Sequence, residues 1–98
     1  MLVAEGKPRP AVIVQADAFP TPSVVLTCPL TSDLSSIDLY RVTLQPSTTN
    51  GLRVVSQAMT DRIGAVRRER VGGTIGRLST DDLRRISDAL RFILDLTD

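Results

Sequence analysis

The segment Lys7-Pro-Arg-Pro10 constrains the fold more than any other part of the sequence, because two prolines bracket a single arginine. Proline fixes its own φ and pushes the residue before it toward extended geometry. The segment therefore predicts a stiff, extended entry into the apolar run at residues 11–14, which is typical of a strand buried on both faces. Arg9 is held there as a forked, always charged donor suited to phosphate. A weak ion pair with a surface carboxylate is the alternative.

The rest of the chain predicts further short strands separated by turns. Pro29 indicates a sheet edge or a bulge within its strand, and Asn50-Gly51 indicates a chain reversal. Residues 39–44 alternate between apolar and polar side chains, as expected of a half-buried strand. The predicted strands are residues 1–5, 11–14, 24–30, 39–44, 53–59, 62–66 and 71–76.

The C-terminal end predicts one amphipathic helix. Ser79 is the expected N-cap, and Asp82 stands three residues later in the capping position. An apolar stripe follows at helical spacing, formed by Leu83, Ile86, Leu90, Ile93 and Leu94. Short strands followed by one packing helix predict a single domain over residues 1–98, a small and mainly antiparallel β-barrel with a C-terminal α-helix.

Composition excludes several classes of function. The 98 residues carry a formal net charge of +1, and of the 12 cationic residues only Lys7 is not arginine. Duplex binders usually have a strong basic excess, so any nucleic-acid contact should be a local patch. With no histidine and one cysteine, Cys28, no metal cluster or cofactor is expected. Cys28 is predicted to be a buried, inert thiol. No signal peptide or membrane span is visible, which indicates a cytoplasmic protein.

The candidate site combines Arg9 with the hydroxyls of Thr31 and Ser32. Arg9 precedes one strand and the two hydroxyls end the next, so antiparallel pairing would bring them to the same end of the sheet. Such a set could hold a phosphodiester and stabilise its transition state, with Lys7 nearby and Glu5 accepting a proton. The alternatives are a turn cap for the hydroxyls and a solvated surface position for Glu5.

Two further polar groups are candidates for RNA contact. Arg53 and Gln57 lie on one predicted strand and could point the same way, although a solvated face is the alternative. Arg67, Arg68 and Arg70 could steer RNA toward the site or form only a solvated loop.

Four motifs occur in a characteristic order along the chain: residues 7–15, 29–32, 56–61 and 75–79. The last motif opens a helix that continues with Asp81-Asp82-Leu83. In that order and spacing they resemble the MazF/PemK family, the toxin halves of bacterial type II toxin–antitoxin pairs. The resemblance covers essentially the whole chain. It implies an SH3-like barrel, a homodimer and a cognate antitoxin. It also implies a metal-independent endoribonuclease that cuts single-stranded RNA at short sequences, leaving a 2′,3′-cyclic phosphate and a 5′-hydroxyl.

Residue by residue, the resemblance makes Arg9 the catalytic arginine, which stabilises charge on the phosphate and acts as acid toward the leaving oxygen. Thr31 matches the hydroxyl at the scissile phosphate, with Ser32 beside it, and Gln57 matches a polar residue facing RNA. Glu5 is the weaker match, to an acidic loop residue that acts as base in some members. The family's Arg-Gly-Asp-like lead-in is missing and the loop before Arg9 is short, which leaves the base open.

Two alternatives to a ribonuclease remain at the level of sequence. A gyrase-poisoning toxin family shares the fold and binds its target through the C-terminal end, here residues 94–98. The other alternative is an inert structural relative whose shortened first strand has removed activity.

Overall fold

The computed structural model describes the backbone of residues 2–5 and, with side chains, residues 9–15, 23–36, 38 and 40–96. These residues form seven strands, two short 3₁₀ turns and one α-helix. The strands are β1 (Leu2–Glu5), β2 (Arg9–Ile13), β3 (Val24–Thr31), β4 (Arg41–Leu44), β5 (Ser56–Met59), β6 (Gly64–Arg67) and β7 (Val71–Gly76), and the helix is α1 (Thr80–Ile93).

All strand pairs are antiparallel, and the strands follow the spatial order β4-β5-β3-β2-β1-β7, with β6 also paired to β3. The predicted class, mainly antiparallel β with a C-terminal helix, is confirmed. Within the described residues no pairing joins β4 to β7, so the sheet is not closed into a barrel.

The longest strand, β3, organises the sheet because it pairs with β2 on one side and divides its other side between two partners. Val24 to Thr27 pair with β6, whereas Leu30 and Thr31 pair with β5. Pro29 lies in the interval between these two partners and pairs only with Ala11 of β2. The predicted sheet edge at Pro29 therefore holds locally, because Pro29 has no strand partner on this side among the described residues, although β3 as a whole is an interior strand. A residue without a backbone donor is tolerated here because the strand changes partner at this point.

Three predicted strands are shorter than expected, and one of them, predicted at residues 39–44, is β4, which begins only at Arg41. β5 begins at Ser56 rather than at residue 53, because its neighbour β4 ends at Leu44, the partner of Ser56. The strand predicted at residues 62–66 starts only at Gly64, because a 3₁₀ turn occupies Thr60–Arg62. Buried Thr60 anchors this turn by donating its hydroxyl to the backbone carbonyl of Tyr40.

The predicted helix is confirmed, and so is its N-cap, since Ser79 Oγ accepts a hydrogen bond from the backbone N–H of Asp82 at 3.1 Å. The apolar stripe is only partly buried: Ile86 is in the core and Leu90 packs against it, whereas Leu83 and Leu94 are exposed. In the described chain no helix has the length and apolar character needed to cross a membrane. The core is aliphatic, formed by Val12, Cys28, Leu30, Val42, Leu44, Leu52, Ala58, Leu78, Ile86 and Ala89.

The predicted reversal at Asn50-Gly51 is confirmed by backbone and side chain together. Gly51 has a positive φ of 71°, a region that favours glycine. The buried Asn50 side chain accepts from the backbone N–H groups of Ser47 and Leu52 and donates to the carbonyl of Gln45. This turn meets the end of β7, where Arg77 N–H donates to the Thr49 carbonyl at 3.0 Å.

Candidate functional site

The strand register aligns the predicted site residues in one row across the sheet. Glu5 of β1 is the cross-strand partner of Arg9 in β2. The β2–β3 register pairs Ala11 with Pro29, and its continuation places Arg9 opposite Thr31. Thr31 pairs with Gln57 of β5. Antiparallel pairing thus brings together backbone positions that are far apart in sequence.

Arg9, Thr31 and Ser32 line one concave pocket of about 430 Å³. The side chain of Arg9 is exposed, and that of Thr31 is half-buried. The other lining residues are Pro10, Leu30, Val54, Ser56, Met59 and Arg62. The pocket therefore combines guanidinium groups, hydroxyls and apolar side chains.

The Thr31 hydroxyl also caps a local turn. Its Oγ1 accepts a hydrogen bond from the backbone N–H of Asp33 at 3.1 Å. The turn-cap interpretation is therefore correct as geometry. It does not exclude the other role, because a hydroxyl that accepts one bond still has its proton to donate. A phosphate oxygen in the pocket is a suitable acceptor for that proton.

The segment after Thr31 is held by hydrogen bonds of its own. Asp33 Oδ1 accepts from the backbone N–H of Ser35, and Asp38 Oδ2 accepts from the hydroxyls of Ser36 and Tyr40. The hydrogen bonds from Ser35 lower the pKa of Asp33, and those from Ser36 and Tyr40 lower the pKa of Asp38. Both carboxylates are favoured in the charged form, which is the form that accepts these bonds.

Gln57 is placed differently from the other candidates. It is 5% exposed and is not among the residues that line the pocket. Its Nε2 donates to the backbone carbonyl of Ser36 at 3.0 Å. Its Oε1 is buried and, in the part of the chain that the structure describes, has no hydrogen-bond partner. A solvated face is therefore wrong for this residue.

The remaining predicted residues are not among the described residues that line the pocket. Arg53 precedes β5 and is exposed, so the expectation that it shares a strand with Gln57 was wrong. Lys7 lies outside the described residues, and Glu5 is described by its backbone register alone. Arg67 and Arg68 line a separate open depression with Ser23, Val24 and Glu69.

Sequence reasoning missed Arg62 as a second cation of the pocket. Its side chain is 64% exposed, and its Nε lies 4.0 Å from Asp61 Oδ2. Asp61 has a closer partner, because its Oδ1 accepts from Arg41 Nε at 3.1 Å. The signal was the adjacent motif at residues 56–61, whose strand pairs with the end of β3. The intervening 3₁₀ turn that carries Arg62 back to the pocket was not predicted.

Cys28 takes no part in the site. It is fully buried in the core, and burial raises the pKa of its thiol from 9.0 to about 12. The prediction that this thiol is buried is confirmed. Within the described residues no group of three or more His, Cys, Asp or Glu side chains could hold a metal ion.

These features define a class of protein: a small antiparallel β-sheet protein with one C-terminal helix and a pocket of arginines and hydroxyls at the end of its central strand. Residues 4–94 match the model of the PemK-like, MazF-like toxins of type II toxin–antitoxin systems. The chain is 34% identical over 91 residues to the probable endoribonuclease MazF of Mycolicibacterium smegmatis, covering 93% of this chain and 84% of that protein. It therefore belongs to the PemK-like, MazF-like toxin family.

Solved structures agree with this assignment at the level of fold. The Mycobacterium tuberculosis toxin MazF-mt6 matches with a TM-score of 0.85 at 20% identity, over 100% of both chains. An endoribonuclease in complex with its cognate antitoxin, from a mycobacterial species, matches with a TM-score of 0.80 at 22% identity, over 99% of this chain and 94% of that chain.

Proposed function

We propose that this toxin is a metal-independent endoribonuclease that cleaves single-stranded RNA, including mRNA, at short sequences. The observation that carries the proposal is the convergence of Arg9 and Thr31 on one pocket, in a chain whose relative is named a probable endoribonuclease. An arginine fork and a hydroxyl donor are the groups expected around a phosphodiester. The proposal also agrees with the formal net charge of only +1, because a local patch suffices for a single strand.

In the proposed reaction, the ribose 2′-oxygen attacks the adjacent phosphorus and the bond from phosphorus to the 5′-oxygen breaks. The products are a 2′,3′-cyclic phosphate and a 5′-hydroxyl, so no water enters this step. Arg9 stabilises the extra negative charge on the phosphate oxygens and, as the acid, supplies the proton that the leaving 5′-oxygen takes up. The Thr31 hydroxyl donates to a nonbridging oxygen, where charge grows in the transition state.

The 2′-hydroxyl proton needs an acceptor, and we assign this role to Glu5. The assignment is supported by the backbone register, in which Glu5 is the direct partner of Arg9. Lys7, Ser32 and Arg53 are the proposed RNA-binding residues, and Arg62 joins them because it lines the pocket. Gln57 was also expected to bind RNA from the sequence, but it does not line the pocket. Gln57 differs from the others through its burial, and its role is developed below.

The proposed partners are single-stranded RNA, a cognate antitoxin protein and a second copy of the chain, all in the cytoplasm. A protein of the same fold has been solved in complex with its cognate antitoxin. A small β-protein also gains buried surface by forming a homodimer.

The test is incubation of the purified protein with a mixed pool of single-stranded RNA in EDTA, followed by mapping of the cleaved ends. Cleavage is expected to persist in EDTA and to leave cyclic-phosphate ends. Arg9→Ala is expected to lower the cleavage rate about 10²- to 10³-fold, the usual loss for one donor to a transition-state oxyanion.

The matched control is Arg84→Ala, which removes an exposed arginine of α1 that pairs with Asp81. This variant is expected to cleave at the wild-type rate. Intact RNA with the wild-type protein, or equal losses in the two arginine variants, would contradict the proposal.

A further inference from the structure

Gln57 is the site candidate whose surroundings are most fully determined. It lies in β5, between β3 and β4, and its cross-strand partners are Thr31 and Thr43. Cross-strand partners have neighbouring side chains on one face of the sheet. Gln57 is therefore next to Thr31 in the fold, although it is itself buried.

The contacts of Gln57 connect it to the segment that follows Thr31. At the near end of this segment, the Thr31 hydroxyl accepts from Asp33 N–H and the Asp33 carboxylate accepts from Ser35 N–H. At its far end, the carbonyl of Ser36 accepts from Gln57 Nε2 at 3.0 Å. The side-chain amide thus joins β5 to the end of a hydrogen-bonded segment that starts at the Thr31 hydroxyl.

The amide oxygen of Gln57, Oε1, gives an independent reason to assign a role to the amide nitrogen, Nε2. A buried oxygen without a partner destabilises the folded state, and Gln57 Oε1 is such an atom within the described residues. A methionine of similar length would remove this oxygen and remain compatible with burial. A glutamine at this position is therefore explained by what its Nε2 does and not by packing alone.

We infer that Gln57 is a positioning residue, which holds residues 32–36 in place and thereby orients the Thr31 hydroxyl toward the phosphate, rather than contacting RNA. The inference rests on the proposed function and adds a residue that acts through Thr31. Its Oε1 exposes essentially no surface, which leaves it no access to RNA in this conformation.

The experiment compares the wild-type protein with Gln57→Met, Thr31→Val and the double variant in single-turnover and steady-state cleavage of one RNA. The matched control is Gln45→Met, which makes the same replacement at an exposed position. Gln57→Met is expected to lower kcat about 10- to 100-fold with little change in KM, as for a misplaced catalytic group. In the Thr31→Val background it is expected to cause little further loss, because both changes remove the same contribution.

A rise in KM with unchanged kcat would make Gln57 a direct RNA contact and overturn the inference. Unchanged kinetics, or a full additional loss in the double variant, would overturn it as well. Thermal unfolding of Gln57→Met is expected at or above the wild-type midpoint, so that slower cleavage is not a failure to fold.

Amide hydrogen exchange provides a readout that does not require RNA. The amide hydrogens of Asp33 and Ser35 exchange with solvent faster when the segment opens more often. Faster exchange is expected there in Gln57→Met and not in Gln45→Met, and equal protection in the two variants would overturn the inference. If the wild-type protein leaves RNA intact, the proposed function fails, while the exchange result still decides whether Gln57 orders the segment.

Discussion

The Thr31 hydroxyl has two roles, and removing it is predicted to lower kcat strongly and stability only slightly. The change is Thr31→Val, which keeps the branched shape of the side chain and removes the oxygen. The hydroxyl now caps Asp33 N–H at 3.1 Å and, in the proposed reaction, donates to a phosphate oxygen. Removing it eliminates both interactions, and their magnitudes differ.

The loss in stability is expected to be small. A net intramolecular hydrogen bond contributes about 1 kcal/mol, and Asp33 is exposed, so water replaces part of the bond. We expect about 0.5 kcal/mol, which corresponds to a fall of about 2–4 °C in Tm for a domain of this size. The loss in catalysis is expected to be larger, about 10²-fold in kcat, because a transition-state donor contributes about 3 kcal/mol.

The assay is cleavage of a defined RNA in EDTA alongside thermal unfolding followed by circular dichroism. Thr31→Ser retains the hydroxyl and is expected to keep most of the wild-type kcat and Tm. The matched control is Ser47→Ala, because Ser47 Oγ likewise accepts a turn N–H, that of Asn50, at 3.0 Å. It should lower Tm by at least as much, because Asn50 is buried, and leave kcat unchanged. Thr31→Val with kcat within about twofold of wild type would refute the assignment of this hydroxyl to the phosphate.

The remaining predictions concern the scaffold. A Cβ at Gly76 would lie 2.5 Å from the backbone oxygens of Thr49 and Asn50, whereas one at Gly73 would meet nothing within 4 Å. Gly76→Ala is therefore expected to lower the free energy of unfolding, measured by urea denaturation, by about 1–3 kcal/mol, which is typical of overpacking. Gly73→Ala is expected to leave it nearly unchanged, and equal effects of the two changes would show that the close approach at Gly76 does not matter. Cys28, whose thiol is buried with a pKa raised to about 12, is expected to resist alkylation by iodoacetamide at pH 8 in the folded protein and to react in urea. Rapid alkylation without denaturant would show that the thiol is accessible.

The local features of this fold were predictable because their causes lie within a few residues of each other. Ser79 and Asp82 form a cap by spacing alone, and Asn50-Gly51 forms a turn through its own side chain and a positive φ. The alternation in β4 also appears directly, with Val42 and Leu44 buried. Each of these depends on backbone geometry that neighbouring residues control.

The site was predictable in part. The end of β3 and the start of β2 were expected to meet, and the structure places Arg9, Thr31 and Ser32 in one pocket. The expectation needed only two strand ends and antiparallel pairing. Arg62 was missed because its position depends on a 3₁₀ turn anchored by Thr60 to Tyr40, a contact between residues 20 positions apart.

Sequence by itself determined the class of fold, the capped helix, the aliphatic core and the family, because periodicity, caps and ordered motifs are properties of the chain alone. Tertiary structure decided three other matters: the change of partner that accommodates Pro29, the arrival of Arg62 at the pocket, and the burial of Gln57 beside Thr31. Each depends on which strand lies beside which residue, and β3 divides its pairing between β5 and β6. Such pairing is settled by packing among distant segments, so no local pattern encodes it.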